Sequence, residues 1–144
     1  MRKETQKNRD DEIRIWNIFE RVLNENGNSI TNVRWKNPED IYCYYDLLAE
    51  IDIDKCIIDI TTRNSKYEDW PDEFVGKQKY DYFMSIYNNT GMIPIFIVEY
   101  QDVLGFYYLH KIVPIEIKRK QNGSIRQYFK KEISKFTKIL LYKN

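Results

Sequence analysis

YYDLLAEIDIDKCIIDITTR, residues 44–63, holds two strand-like runs around a short polar turn. The runs span 41–51 (IYCYYDLLAEI) and 56–62 (CIIDITT), and Asp52-Ile53-Asp54-Lys55 between them reads as a hairpin turn. Each run carries one carboxylate among apolar neighbours, Asp46 in the first and Asp59 in the second. Asp is disfavoured in strands and seldom buried without a partner. A hairpin centred on residues 52–54 with an even loop sets Asp46 opposite Asp59 or Thr61. Side-chain alternation then puts all three on one face. Two facing carboxylates repel unless a cation lies between them, and hard oxygen donors suit Mg²⁺ or Mn²⁺. The competing reading pairs one Asp with a Lys or Arg at a sheet edge, or shifts the register so that the two face opposite ways.

Around this hairpin the periodicity changes. Residues 13–25 place Ile15, Ile18, Phe19, Val22 and Leu23 at helical spacing, with Gly27 as the stop. A short strand is expected over 30–36, a polar loop over 63–73 and a helix over 74–89. Residues 93–100 (IPIFIVEY) form the nearly continuous apolar run of a strand covered on both faces. Another strand is expected from 106 to 113, extending towards 117. Asn122-Gly123 is turn chemistry. Ile125, Phe129, Ile133, Phe136 and Leu140 fall four, four, three and four apart, which predicts an amphipathic C-terminal helix over about 124–141. Its other face would carry Arg126, Lys130, Lys131, Lys135 and Lys138. The order of elements is α/β with a central mixed sheet flanked by helices.

A length of 144 residues suits one domain with a real core. The formal charge of +1 conceals an asymmetry: residues 1–110 hold 13 basic and 20 acidic side chains, net −7, whereas 111–144 hold 10 and 2, net +8. Such a basic end points to a polyanionic partner. One histidine and two cysteines, Cys43 and Cys56, cannot by themselves fill a four-ligand zinc site. They read as cytoplasmic thiols rather than a disulfide framework. No apolar run approaches the ~20 residues of a transmembrane helix, and the start, MRKETQKNRDDE, lacks the apolar core of a signal peptide. The absence of a Gly-rich phosphate loop excludes P-loop and Rossmann nucleotide binding.

The stretch 44–63 resembles the core of the PD-(D/E)XK nuclease superfamily, which includes restriction endonucleases and Holliday-junction resolvases. There a strand carries an Asp, a turn follows, and the next strand carries Asp/Glu-x-Lys. The resemblance covers roughly residues 13–110 and includes the preceding helix, the following helix and the buried strand after it. It implies a single restriction-endonuclease-like domain, with a core of about 13–113 and the basic helix appended. It implies that Asp46 and Asp59 bind Mg²⁺ (or Mn²⁺) together with the main-chain carbonyl of Ile60. Thr61 stands where the family has lysine. Some members supply that lysine from the following helix, which makes Lys79 or Lys77 the candidate replacement, and Arg63 is a further cation on the same strand face. Gln78 and Tyr82, four apart, resemble a helix motif of some relatives. Glu20 and Glu12 are the acids the first helix could add.

The implied function is a metal-dependent nuclease cleaving phosphodiester bonds, with DNA ahead of RNA as partner and a homodimer allowed. Arg63, Lys118, Arg119, Lys120, Arg126, Lys130 and Lys131 would grip the backbone. The alternative is a catalytically degenerate member that binds nucleic acid or protein without cleavage; a third reading is a protein-interaction module. A second, literal Glu-x-Lys at Glu116-Ile117-Lys118, with Asp102 upstream, lacks the helix and strand that must follow the motif and is rejected. His110, with no Ser or Cys partner in evidence, reads as structural. The clusters Tyr42-Tyr44-Tyr45 and Tyr80-Tyr82-Tyr87 read mainly as core and rim.

Overall fold

In the computed structural model, which describes residues 6–37, 39–40, 43–115, 120–121 and 124–142, the first apolar stripe forms helix α1 (Gln6–Glu25). Ile15, Trp16, Phe19 and Leu23 line its buried face. Gly27 ends it at φ 91°, and the Asn28 N–H closes back on the Leu23 carbonyl at 2.9 Å. Strands β1 (Ile30–Trp35), β2 (Leu47–Ile51) and β3 (Asp54–Thr62) then pair antiparallel in succession. The β2–β3 turn is held from outside, because the Asp52 carboxylate accepts the Ser29 N–H at 2.9 Å and the Asn28 amide at 3.0 Å.

β4 (Asp72–Gly76) and helix α2 (Lys77–Thr90) carry the chain over to β5 (Ile93–Glu99), which lies parallel to β3. β6 (Val103–Tyr108) returns antiparallel to β5. The chain then gives β7 (Pro114–Ile115), β8 (Lys120–Gln121), β9 (Ser124–Lys130) and β10 (Thr137–Leu141). The main sheet runs β1-β2-β3-β5-β6-β10, and a second sheet runs β4-β9-β7 with β8 on β9. One parallel pair in an otherwise antiparallel ladder makes this a mixed α/β fold with helices flanking the central sheet.

Alternation along β3 and β5 divides the core. Cys56, Ile58, Ile60, Ile95 and Ile97 pack towards α1, whereas Ile57, Phe96 and Val98 pack with Phe83 of α2. The apolar run 93–100 is therefore covered on both faces, as its composition requires. Among the described residues no helix is long and apolar enough to cross a membrane.

Several expectations need correction. The C-terminal helix over 124–141 is absent: this segment is β9, a turn over 131–135 and β10. A spacing of four satisfies a period of 2 as well as 3.6, so Ile125 and Phe129 share a strand face equally well. The sheet prevails because partners wait for it. β9 pairs with β4, Phe129 packs edge-on against Tyr107 at 4.9 Å, and Phe136 stacks on Tyr67 at 4.8 Å.

The helix expected over 74–89 starts at Lys77, because 72–76 is taken up as a strand by β9. The first hairpin strand begins only at Leu47. Before it, Tyr44 leaves the ladder to pack on Tyr82 of α2 at 5.4 Å. The strand expected over 106–113 stops at Tyr108 in a 3-10 turn, Leu109–Lys111. Residues 116–119, 122 and 123 lie outside the described residues, and with them the second Glu-x-Lys, the Asn122-Gly123 turn and the basic pair Lys118-Arg119.

Candidate active site

The β2–β3 ladder pairs Leu47 with Ile58 and Ala49 with Cys56, so one further step sets Asp46 opposite Asp59. The backbone holds Asp46 there: its N–H donates to the Ile58 carbonyl at 2.8 Å, and its carbonyl accepts the Lys36 N–H at 2.9 Å. Both carboxylates are buried, with exposures of 8% and 3%. The Ile60 N–H donates to Asp46 Oδ2 at 2.6 Å. Asp59 accepts the Thr61 hydroxyl at 3.2 Å on Oδ2 and the Lys79 ammonium at 3.1 Å on Oδ1. Burial, followed by the charge of Asp59, pushes the Asp46 carboxyl up to about 7, against the opposing pull of the Ile60 N–H, Lys79 and Lys36.

Alternation explains why Lys79 arrives here. Asp59 shares the strand face of Ile57, the face that α2 covers. A lysine in the first turn of that helix, on its sheet-facing side, overlies the carboxylate. Lys77, two residues earlier, turns outward and pairs with Asp81 at 2.7 Å. Gln78 accepts the Tyr44 hydroxyl at 3.1 Å, which ties the segment before Asp46 to the same helix turn.

The other site candidates scatter. Arg63 pairs with buried Glu73 at 3.1 Å, donates to the Phe74 carbonyl at 3.0 Å and lies 4.3 Å over the Phe74 ring. Lys131, expected on a solvated helix face, is 5% exposed: its ammonium donates to the Tyr67 carbonyl and sits over the Tyr67 and Tyr100 rings. Burial lowers its pKa. The turn after β9 is what folds Lys131 inward. Arg126 lies 4.1 Å over Phe74, and Lys130 faces Asp72 at 3.7 Å. Nothing is described of the Lys120 side chain. On α1, Glu12 is buried and Glu20 half-buried. His110 stacks on Tyr87 at 4.5 Å, and Cys43 donates to Asp40 at 3.1 Å. A cavity of about 450 Å³, lined in part by Arg14, Thr62, Arg63 and Glu99, includes neither Asp46 nor Asp59 in its walls.

No family model matches this chain, and no curated protein does. Among solved structures it is similar to the Holliday junction resolvase Hjc of Archaeoglobus fulgidus, an archaeal hyperthermophile. The match covers 88% of this chain and 87% of that one, at 9% identity and a TM-score of 0.46.

Two opposed carboxylates form a hard, oxygen-only donor set. Among the described residues no group of three or more His, Cys, Asp or Glu could hold a metal ion, so water and ligand oxygens would have to complete the shell of an ion on this pair. The pair fits a small divalent cation. Burial first, and the Asp59 charge second, hold the Asp46 carboxyl up, and a cation placed between the two carboxylates would oppose both effects. Mg²⁺ in particular accepts one or two carboxylates and completes its shell with water and phosphate oxygens.

Lys36 lies beyond the reach of the sequence reading. Its backbone docks on Asp46, and its charge acts on that carboxylate, but only the β1–β2 register reveals this. The buried Glu73–Tyr100–Tyr107 cluster is equally hidden there, since Glu73 falls in a segment that reads as loop.

Proposed function

We propose that this chain is a metal-dependent nuclease acting on phosphodiester bonds. The observation that carries the reading is the buried Asp46–Asp59 pair on one sheet face with the Lys79 ammonium on Asp59. Asp46, Asp59 and the Ile60 carbonyl would hold Mg²⁺ or Mn²⁺. When bound, such an ion supplies Lewis acidity and a lowered pKa for water. The Ile60 N–H fixes Asp46 Oδ2 and the Thr61 hydroxyl fixes Asp59 Oδ2, which orients the two carboxylates. Lys79 replaces the strand lysine: its ammonium, at the edge of the pair, can hold a phosphate oxygen and stabilise charge that grows there. Of the expected backbone grip, Arg126 lies over the Phe74 ring and Lys130 pairs with Asp72, both on β9.

A binding-only protein is the second reading, favoured by Thr61 and by the closeness of Lys79 to Asp59, which an inactive site would retain as a plain ion pair. Plasmid nicking with Mg²⁺ or Mn²⁺ separates the two. Cleavage by the wild type, lost in Asp46→Asn and Asp59→Asn and reduced about 10²-fold or more in Lys79→Ala, supports catalysis. Intact linear, supercoiled and branched DNA, and intact RNA, with both metals would leave binding alone.

A further inference from the structure

Lys36 lies one step beyond the last pair of the β1–β2 ladder. Arg34 pairs with Leu48 and Trp35 with Leu47, so the same register sets Lys36 beside Asp46. The Lys36 N–H on the Asp46 carbonyl, at 2.9 Å, fixes that position. Across the sheet the order is then Lys36, Asp46, Asp59, and directly opposed residues point to the same face. Arg34, two residues back on β1, shares that face about 7 Å away along the strand.

These two cations differ from several others in the molecule. Arg14 is committed to Glu99, Arg63 to Glu73, Lys77 to Asp81 and Lys130 to Asp72, and Lys131 is buried. Among the described residues no carboxylate lies within ion-pair distance of Lys36 or Arg34. The Lys36 ammonium has one long contact, 3.4 Å to the Cys43 carbonyl, which leaves its charge available. β1 is also an outer strand of the main sheet, so no further strand stands between it and an incoming ligand.

We propose that Lys36 and Arg34 form a phosphate-contacting edge that seats a nucleic-acid backbone against the Asp46–Asp59 pair. The inference rests on the nuclease reading and names the contact surface of that same site. It moves the grip from the C-terminal segment, where the amino-acid charges are densest, to an acidic stretch of the chain, where two unpaired cations flank the carboxylates.

The test is fluorescence anisotropy with labelled duplex DNA, single-stranded DNA and RNA, without divalent metal, over a salt series. Lys36→Gln and Arg34→Gln should each weaken binding and lower the slope of log affinity against log salt by about 1. Lys36→Arg should restore the slope, and Arg21→Gln, on the exposed side of α1, should leave it unchanged. Wild type that binds DNA with affinity and slope equal to those of both Gln variants overturns the proposed edge while leaving the nuclease reading standing. Wild type that binds neither DNA nor RNA overturns both.

Discussion

Asp46 shows how much a single position can state about its surroundings. Its folded-state carboxyl, near 7, takes up a proton that the unfolded chain releases around pH 4. Between those values the folded state holds the extra proton, so stability falls as pH rises across that window and levels off above it. Every tenfold difference in proton affinity between the two states is worth about 1.4 kcal/mol. Asp46→Asn keeps an oxygen for the Ile60 N–H and removes the charge. In thermal melts at pH 8 it should raise Tm by at least about 3 °C over wild type, with the advantage gone near pH 4. Mg²⁺ or Mn²⁺ should stabilise wild type, by about 2.7 kcal/mol at a hundredfold excess over Kd, and the Asn variant much less. Equal stabilisation of both proteins would remove Asp46 from the proposed metal site. This position is legible in the sequence because an antiparallel hairpin fixes parity: once the turn is placed, which residues face each other follows. Lys36 is not, since its place depends on a strand separated from the hairpin by a loop that carries no register signal.

At the scale of elements, β4 and β9 show where pattern reading loses its grip. Local periodicity assigns β4 to loop and helix and β9 to helix, yet both are strands because each finds the other. What joins this small sheet to the main one is polar and buried. Glu73 of β4 accepts from Arg63 at the end of β3 and from the Tyr100 hydroxyl after β5, and Tyr100 meets the Tyr107 hydroxyl of β6 at 3.1 Å. Burial and the neighbouring Glu73 charge push Tyr100 well above the usual tyrosine range, so it stays a donor. Glu73→Ala strands a mostly buried guanidinium and a buried hydroxyl together. Urea unfolding should show a loss of about 3 kcal/mol, and Glu73→Gln, which retains an acceptor, should lose less. A loss under about 1 kcal/mol for the Ala variant would mean the two sheets are held by packing alone. Sequence could not announce this network: a lone Glu beside Asp72 in a polar stretch looks solvated until three other elements close over it.

Across the whole molecule, the division into an acidic body and a basic end looks different once the chain is folded. The end is not an appended arm. β9 supplies the partner of β4, β10 closes the edge of β6, and Phe129 and Phe136 fill the space beside Tyr107. Its positive charge is partly engaged, with Asp72 by Lys130 and with aromatic faces by Lys131 and Lys138. The tightest point of this closure is Gly105 of β6, where an added methyl group would collide with the Phe136 ring and the Thr137 carbonyl. The neighbours cannot both give way, because one is backbone of the paired strand. Gly105→Ala should therefore push β10 off the sheet at a cost of about 1–3 kcal/mol. The effect should be larger for amide protection across 137–141 than for β2 and β3, which lie on the far side of the sheet. If the hairpin 44–63 holds the carboxylate pair independently of this closure, the proposed metal-induced stabilisation should persist in the Gly105→Ala protein while its Tm drops. Loss of both together would show that the carboxylate pair is positioned by the whole sheet, from β10 inward, and not by the hairpin alone.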